Sequence, residues 1–480
     1  MAVEWTVTIE GRNEFGDTCR KEVRIDKSWE SLFDGDIGLS IGDSKKIMAA
    51  LQNAVVNHEA ETYALLRRVC PDCHTFRPVK DYTSRRIRTV FGTVEVRNPR
   101  WMLCRECHPG MVGAFAPLKE ICPDRATPEL MELTARLGSM LPYRHAAKVL
   151  ADFLPTEPTE THATVRKRTI RIGKRLDDQV MQETWRARSQ TDDRCQLEMQ
   201  LPGDRRKEFV ISIDTAHVRS AETNSARNFE LVVARCGRGG RGERGGRYFV
   251  TGSTDQQAIR DRALHSLQEV GYRGFGDVTV ISDGAEILKR LPRAMPKPTT
   301  HIIDWFHIAM KIQPMQQIAD HIVRSRSGPF EALPTIDRDI RAVKWRLWHG
   351  RVGRAIRDLE QLLVRLKEGG FFARLHSLGE QLLTYVRSNR GAIVNYGKRY
   401  RAGLRVATTL AESAVNSVVG KRMVKKQQMR WSHHGAHMLM QVRAAEINGE
   451  LRNRLRAPFR QPELNVPPIF KPKTPLLRAA

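Results

Sequence analysis

The chain contains 480 residues, which is enough for roughly three domains with sizeable hydrophobic cores. Lys and Arg total 80 against 54 Asp and Glu, for a net charge of +26 at pH 7, and residues 1–60 contribute eleven acids and only seven bases. A positive excess of this size predicts a polyanionic partner. The sequence shows no charged-then-apolar leader and no apolar run of membrane length, which predicts a cytoplasmic protein rather than a secreted or membrane protein.

The N-terminal region, residues 1–68, shows strand and helix patterns but no residues that suggest chemistry. Residues 2–26 alternate between apolar and polar side chains around a turn-rich segment, which predicts a β-hairpin. Residues 40–68 carry apolar residues at helical spacing behind the capping candidates Asp43 and Ser44, which predicts a long helix. We therefore interpret this region as an accessory or oligomerisation module.

Four of the eight cysteines form two Cys-x-x-Cys pairs separated by thirty residues. In a reducing compartment this spacing favours metal ligation over disulfides, and four thiolates satisfy the tetrahedral coordination of a structural zinc ion. The strand-like sequence between the pairs predicts a zinc ribbon over residues 69–112. The predicted zinc ligands are Cys70, Cys73, Cys104 and Cys107.

Two alternatives for this zinc ribbon stay open at the level of sequence. His74 and His108 each follow the second cysteine of a pair and could replace a thiolate, although four sulfurs already suffice. The module could also be a purely structural staple, or its arginines could contact DNA phosphates. These arginines are Arg85, Arg86 and Arg88.

Residues 126–190 show three helical patterns, the second of which ends at the turn-rich sequence LPTEPTET. The third pattern places apolar residues on one face and basic residues largely elsewhere, as a recognition helix in a DNA major groove requires. We interpret this region as a helix-turn-helix DNA-binding domain, although a basic amphipathic helix can also be simply a solvated one. The predicted DNA contacts are Arg166, Lys167, Arg168 and Arg171.

Beyond residue 205, three short apolar runs each lead to an aspartate. The run FVISI precedes Asp214, DVTVI and one serine precede Asp283, and HII precedes Asp304. Buried strands of an α/β sheet have this apolar pattern, and open sheets bind their ligands at such strand ends. The predicted order, strand-strand-strand-helix-strand-helix-strand, is that of the ribonuclease H-like fold. The sequence therefore predicts an α/β multidomain protein with a ribonuclease H-like catalytic core.

Several motifs in this part of the chain resemble those of a known family. SIDTAHV, VISDGAEIL, HIIDWFHIAMKI, VKWRLWHGR, NYGKRYR and AESAVNSVV occur in this order, and KRMVKKQQMRWSHHGAHMLMQVRAAEING follows them. Together they resemble bacterial insertion-sequence transposases of the ISKra group, which are similar to Mutator-like DDE transposases. The resemblance covers about residues 205–450 and implies a catalytic core formed by residues 205–304 and 404–450.

The resemblance implies a catalytic triad of Asp214, Asp283 and Glu412. Three carboxylates suit phosphodiester cleavage that depends on two divalent cations, and hard oxygen ligands favour Mg²⁺, with Mn²⁺ as a substitute. Glu286 is the rival third acid, and a surface position on a helix is the alternative interpretation of Glu412.

The interval between Asp304 and Glu412 exceeds what one connection needs, and it predicts an α-helical insertion domain over residues 305–403. At its start, Asp304 and His307 resemble the Asp/Cys-x-x-His motif of the family. We interpret both as supporting residues that orient DNA or the metal shell, with a structural role as the alternative.

The basic segment KRMVKKQQMRW is predicted to continue the Glu412 helix, where its cations would contact the DNA backbone. Residues 451–480 are rich in proline and are predicted to be disordered. The DNA contacts predicted in the basic segment are Lys421, Arg422, Lys425, Lys426 and Arg430.

These features predict a DDE transposase that binds the ends of an insertion sequence, cleaves them by metal-assisted hydrolysis and joins the freed 3′-hydroxyl to target DNA. Its partners would be double-stranded DNA, as terminal inverted repeats and target, and a second copy of the chain in a homodimer or larger assembly. It would associate with the bacterial nucleoid. The alternatives are a nuclease that cuts without joining and a non-catalytic, zinc-containing DNA-binding regulator on a ribonuclease H-like scaffold.

Overall fold

The structure is a computed structural model, and it has the mixed α/β composition that the sequence predicts. The chain divides into two compact units, one formed by Met1–Ile172 with Gly449–Ala480 and the other by Gly173–Asn448. The structure describes residues 2–12, 18–157, 160–191, 208–222, 226–240, 245–274, 276–325, 333–368, 372–408, 415–423 and 429–457.

The first unit begins with a β-hairpin and a long helix, as predicted. Val7 pairs with Val23 in the antiparallel register of the hairpin, and Ile25 is buried. A capping box between Ser40 and Asp43 satisfies backbone N–H groups where the long helix begins. The elements are β1 (Ala2–Arg12), β2 (Thr18–Ser28), α1 (Trp29–Phe33) and α2 (Ile41–Leu66).

An apolar cavity of about 530 Å³ opens between β1, β2, α1 and the start of α2. Trp5 and Trp29 line it and are 62% and 49% exposed. A cluster of exposed apolar side chains is typical of an interaction surface. The accessory role of residues 1–68 stays a prediction, because the cavity by itself does not identify an occupant.

An antiparallel sheet packs against α2 and carries the cysteine pairs at its end. Ile87, Val94 and Val96 point into a core that also contains Val56 and Ala60 of α2. Its elements are β3 (Val79–Thr89), β4 (Gly92–Met102), β5 (Ala114–Phe115) and the short helix α3 (Leu118–Ile121).

Three helices follow at the positions that the sequence predicts, and their helix-turn-helix role stays a prediction. Ala146 and Leu150 of the second helix pack with Val165 of the third. A side chain at Gly138 would lie 2.5 Å from the hydroxyl of Thr169, so glycine permits the close approach of the first and third helices. The helices are α4 (Pro128–Met140), α5 (Tyr143–Phe153) and α6 (His162–Thr191).

The second unit contains a five-stranded mixed sheet with the strand order β10-β9-β6-β7-β8. β6 pairs in parallel with β9, and β9 with β10, whereas β6, β7 and β8 form an antiparallel meander. The strands and helices follow the predicted order, except that two short helices rather than one lie between β9 and β10. The elements are β6 (Phe209–Arg219), β7 (Asn228–Arg238), β8 (Arg247–Thr251), α7 (Gln256–Glu269), β9 (Val278–Ser282), α8 (Glu286–Lys289), α9 (Leu291–Ala294) and β10 (Thr299–Ile303).

The prediction that β6 ends at Asp214 is wrong. β6 continues to Arg219 because its antiparallel pairing with β7 runs over the whole strand, and Asp214 lies opposite Val233. The parallel pairing with β9 stops at Ser212, two residues before Asp214. The aspartate therefore lies just beyond the parallel part of the sheet, although the strand itself has not ended.

Helices occupy the described parts of the predicted insertion. Ile308, Ile340, Leu362 and Leu382 belong to one buried core. Of the two tryptophans in KWRLWH, Trp348 packs against this core, whereas Trp345 is 64% exposed. The helices are α10 (Trp305–Ser325), α11 (Leu333–Trp348), α12 (Val352–Glu368), α13 (Ala373–Ser388) and α14 (Tyr396–Arg401).

The prediction of one continuous helix through the basic segment is wrong. Residues 415–420 form a short π-helix that ends at Gly420, and a turn follows. Trp431, which was predicted to lie on that helix, instead donates its backbone N–H to the carbonyl of Arg219 at the end of β6. The next helix, α15, spans His433–Ile447.

The predicted disorder of residues 451–480 is wrong for the first residues of this region, which form a helix. Residues 451–456 form the helix α16 (Leu451–Arg456), and within the first unit Arg452 forms an ion pair of 3.0 Å with Glu132 of α4. Residues 458–480 lie outside the described residues. Among the described helices, none combines the length and apolar character needed to cross a membrane.

Candidate functional site

The two cysteine pairs meet at the end of the β3–β4 sheet. The distance between sulfur atoms is 3.7 Å for Cys70 and Cys107 and 3.3 Å for Cys73 and Cys104. All four Sγ atoms lie within 4.8 Å of one another. Zn–S bonds of about 2.3 Å in a tetrahedron place sulfur atoms about 3.8 Å apart, so the four thiols fit a structural zinc ion.

Local backbone hydrogen bonds shape each cysteine pair into a tight turn. The N–H of His74 donates to the carbonyl of Cys70 at 3.0 Å, and the N–H of His108 donates to the carbonyl of Cys104 at 3.0 Å. Both histidines thus contribute backbone groups to the turns. The metal-ligating cluster within the described residues contains the four cysteines and neither histidine.

Polar groups next to Cys70 and Cys104 favour the thiolate form that zinc binds, whereas the neighbouring thiols and burial raise the pKa of Cys107. The hydroxyl of Thr75 lies 3.1 Å from the sulfur of Cys73 and 3.3 Å from that of Cys104. The hydrogen bond with Thr75, followed by the backbone N–H of Cys107, lowers the pKa of Cys104 to about 6. The Arg77 guanidinium donates to the sulfur of Cys70 at 3.6 Å. Such partners hold metal ligands in place and stabilise their negative charge.

The arginines of the predicted ribbon contact other parts of the first unit. Arg85 donates to the carbonyl of Cys122, Arg86 pairs with Glu157, and Arg88 pairs with Glu160 at 3.2 Å. These contacts support a structural role for this surface, which is one of the two alternatives that the sequence leaves open.

Two of the predicted catalytic acids lie at the same edge of the second sheet. Asp214 lies on β6 beyond the parallel pairing with β9, and Asp283 follows the last residue of β9 directly. Burial raises the pKa of Asp214, and the negative charges of Asp283 and Asp304 add to this, although the Thr215 N–H and His307 act in the opposite direction. Asp283 and Asp304 are therefore close enough to Asp214 for their charges to affect its pKa.

Asp304 is held by several groups at the start of the helical region. Its side chain is 1% exposed and accepts hydrogen bonds from the Thr408 hydroxyl and from the N–H of Phe306, the latter at 2.7 Å. The Nε2 atom of His307 lies 3.9 Å from the same carboxylate. This arrangement fits the predicted supporting role, and it equally fits the structural alternative.

The third acid cannot be placed. Glu412 lies outside the described residues, as do Lys425 and Lys426 of the basic segment. The rival acid Glu286 has a side chain that is 76% exposed and forms an ion pair with Lys289 at 3.0 Å. In the described part of the chain, no set of three carboxylates lies within 4.8 Å, so the described acids alone do not complete a metal site.

The predicted DNA-contacting residues fall into two groups. Arg168 and Arg422 are 6% and 2% exposed, so both are buried in this structure, and their contact with DNA stays a prediction. The guanidinium of Arg168 is bound by both carboxylate oxygens of Glu160, and that of Arg422 lies 4.9 Å from the centre of the Trp431 ring. The exposed members of the set are Arg166, Lys167, Arg171, Lys421 and Arg430.

The buried pair of Arg168 and Glu160 has a measurable consequence for stability. We expect Arg168→Ala to lower the free energy of unfolding by about 2 kcal/mol, because the buried carboxylate of Glu160 loses both charged hydrogen bonds from Arg168 and keeps only Arg88 at 3.2 Å. Lys167→Ala, on the exposed side of the same helix, should change it by less than about 0.5 kcal/mol. Chemical denaturation followed by circular dichroism measures both. Equal stability of the two variants would contradict the assignment of Arg168 as a structural residue.

Sequence reasoning missed the groups that hold these acids. Tyr385 of α13 donates its hydroxyl to the backbone carbonyl of Asp283 at 2.6 Å, and the hydroxyl of Ser282 lies 2.9 Å from Nε2 of His301. No local pattern could reveal either contact, because the partners are separated along the chain.

In the comparisons with known proteins, no family model and no curated protein matches the sequence.

Proposed function

We propose that the protein is a DDE transposase that cleaves the ends of an insertion sequence and joins them to target DNA. The observation that carries this proposal is the placement of Asp214 on β6 and of Asp283 directly after β9, at the same end of two neighbouring parallel strands. Acids in this position of an open α/β sheet are typical of a ligand or metal site. The charge of Asp283 contributes to the raised pKa of Asp214, and this proximity supports a shared site.

The topology of the second unit supports a ribonuclease H-like core. Three antiparallel strands occupy one side of the sheet and two parallel strands the other, with β6 in the centre. The helical region begins directly after β10 at Trp305, and the chain returns to the sheet at two bridges, Leu404 with Gly240 and Trp431 with Ser220. This is the arrangement expected of a catalytic core with an inserted helical domain, as in the transposases that the motifs resemble.

The chemistry of the acids fits divalent metal ions. Carboxylate oxygens are the ligands that Mg²⁺ prefers, and Asp214 and Asp283 would hold it together with Glu412 as the proposed third ligand. When bound, two such ions supply activation of an attacking oxygen and stabilisation of a leaving oxygen. Burial and the nearby carboxylates raise the pKa of Asp214, so its ionised form is costly without a cation to offset that charge.

Exposed cations elsewhere on the chain would bind the DNA backbone. Arg166 and Lys167 lie on the exposed side of α6, and Lys421 and Arg430 flank the undescribed part of the basic segment. Neutralisation of phosphates by such residues makes binding strongly dependent on salt. A transposase must hold two element ends at once, so we expect a homodimer or larger assembly. A four-cysteine zinc ribbon would stabilise the N-terminal part of the chain.

The proposal is tested by a strand-joining reaction with DNA that flanks the gene for this chain. Purified protein, MgCl₂, a labelled fragment carrying a candidate inverted end and a supercoiled plasmid should yield nicked or linear plasmid that carries the label. Labelled cut ends without joined plasmid would indicate a nuclease. Binding of the fragment without any cutting would favour the non-catalytic regulator.

A further inference from the structure

The turn that carries Asp283 is hydrogen-bonded to a helix of the helical region. The hydroxyl of Tyr385, in α13, donates to the backbone carbonyl of Asp283 at 2.6 Å. Directly beyond α13, Asn389 is 5% exposed and donates from Nδ2 to the carbonyl of Tyr385 at 2.9 Å. Gly284 has a φ of +87°, and a Cβ at this position would lie 2.7 Å from Oδ1 of Asn389. The turn and the end of α13 therefore fit closely against each other.

The sheet side of the same turn is also held in place. The hydroxyl of Ser282 accepts the N–H of Gly284 at 3.3 Å and contacts His301 of the neighbouring strand. The N–H of Ala285 donates to Oδ1 of Asp283 at 2.8 Å. These bonds orient the carboxylate relative to its own backbone. The backbone carbonyl of Asp283 is bonded to the helical region through the hydroxyl of Tyr385.

We propose that Tyr385 is a positioning residue, through which helix α13 fixes the backbone of Asp283 and so sets the geometry of the metal site. This inference rests on the proposed function, because it assumes that Asp283 is a metal ligand. The bond joins residues 102 positions apart in the chain, so it links the sheet edge to the helical region rather than stabilising a local turn.

The contacts of the phenol fit this role. Its hydroxyl donates to the Asp283 carbonyl at 2.6 Å. The ammonium of Lys311 lies 4.7 Å from the centre of the Tyr385 ring and makes a cation–π contact with it. A phenylalanine at this position would retain the ring packing and lose only the hydrogen bond.

The test measures binding of Mn²⁺ alone to the full-length chain by electron paramagnetic resonance, with the cysteine site saturated with zinc beforehand. We expect Tyr385→Phe to weaken Mn²⁺ binding about tenfold, the lower end of the effect typical of lost outer-shell contacts. Tyr396→Phe is the matched control, since the hydroxyl of Tyr396 also donates to a strand-end carbonyl, that of Ile303, at 2.8 Å. Its affinity should stay within about twofold of the wild type, a change well below the outer-shell effect.

The variant Asp283→Asn distinguishes a failure of the proposed function from a failure of the positioning role of Tyr385. If wild-type protein binds Mn²⁺ no better than Asp283→Asn, Asp283 is not a metal ligand, and both the proposed function and this inference are wrong. If binding depends on Asp283 but Tyr385→Phe binds as tightly as wild type, only the positioning role is wrong. Thermal unfolding of both tyrosine variants guards against general misfolding. Equal losses of Mn²⁺ affinity in the two variants would also overturn a specific role for Tyr385.

Discussion

Asp283→Asn is expected to lower the rate of DNA strand cleavage in Mg²⁺ at least about a thousandfold, because a lost metal ligand removes several kcal/mol of charge stabilisation from the transition state. Asparagine keeps the size of the side chain and can still accept the hydrogen bond from the N–H of Ala285. The turn should therefore keep its shape. Cleavage of a labelled element end, quantified on a denaturing gel, measures the effect.

DNA binding by the same variant should persist, since the cations on α6 and in the basic segment are unchanged. An electrophoretic mobility shift at fixed salt concentration measures this separately from cleavage. Glu286→Gln is the matched control, because that carboxylate is 76% exposed and paired with Lys289. Its cleavage should remain within a factor of about two, as surface substitutions are usually nearly neutral. A loss equal to that of Asp283→Asn would instead make Glu286 the third acid.

The strands of the second sheet were predictable because their apolar runs are short and bounded by polar or turn residues. Val278–Ser282 and Thr299–Ile303 match the predicted strands closely, and each is followed by the expected aspartate. β6 was harder to delimit. Two polar residues, Asp214 and Thr215, follow its apolar first half, and only the pairing with β7 shows that the strand continues past them.

The basic residues show what composition cannot reveal. Arg166 and Arg168 are two positions apart on one helix, yet one is exposed and the other is bound by Glu160 in the interior. A helical pattern predicts only approximately which side chains face the interior. It cannot show that Glu160, which precedes the helix, binds Arg168. The same limit applies to Arg422, which lies in the turn after the π-helix and contacts the ring of Trp431.

The groups that orient the acids could not be predicted for a related reason. Tyr385 and Thr408 have no motif of their own, and each acts on an aspartate about a hundred residues earlier in the chain. The cysteines are the opposite case, because the ligand type and the pair spacing already define the geometry that zinc needs. The sequence alone was therefore sufficient to predict the residues of the cysteine site, but not the residues that surround the carboxylates.

Cys70→Ser is expected to abolish the one equivalent of zinc that a single four-ligand site holds. Cys70 is buried, and its sulfur lies 3.7 Å from that of Cys107, so serine would leave three thiols around an incomplete site. Zinc content is measured by inductively coupled plasma mass spectrometry on protein purified without a metal-affinity tag.

Loss of zinc should also destabilise the cysteine-bearing end of the β3–β4 sheet, since binding of a structural zinc ion contributes on the order of 10 kcal/mol to folding of such modules. Limited proteolysis should then cut within residues 69–112 of Cys70→Ser and spare the wild type. Cys19→Ser is the matched control, because Cys19 is exposed on the N-terminal hairpin and outside the cluster. It should retain full zinc and resist the protease. Retention of a full equivalent of zinc by Cys70→Ser would exclude the four-cysteine site.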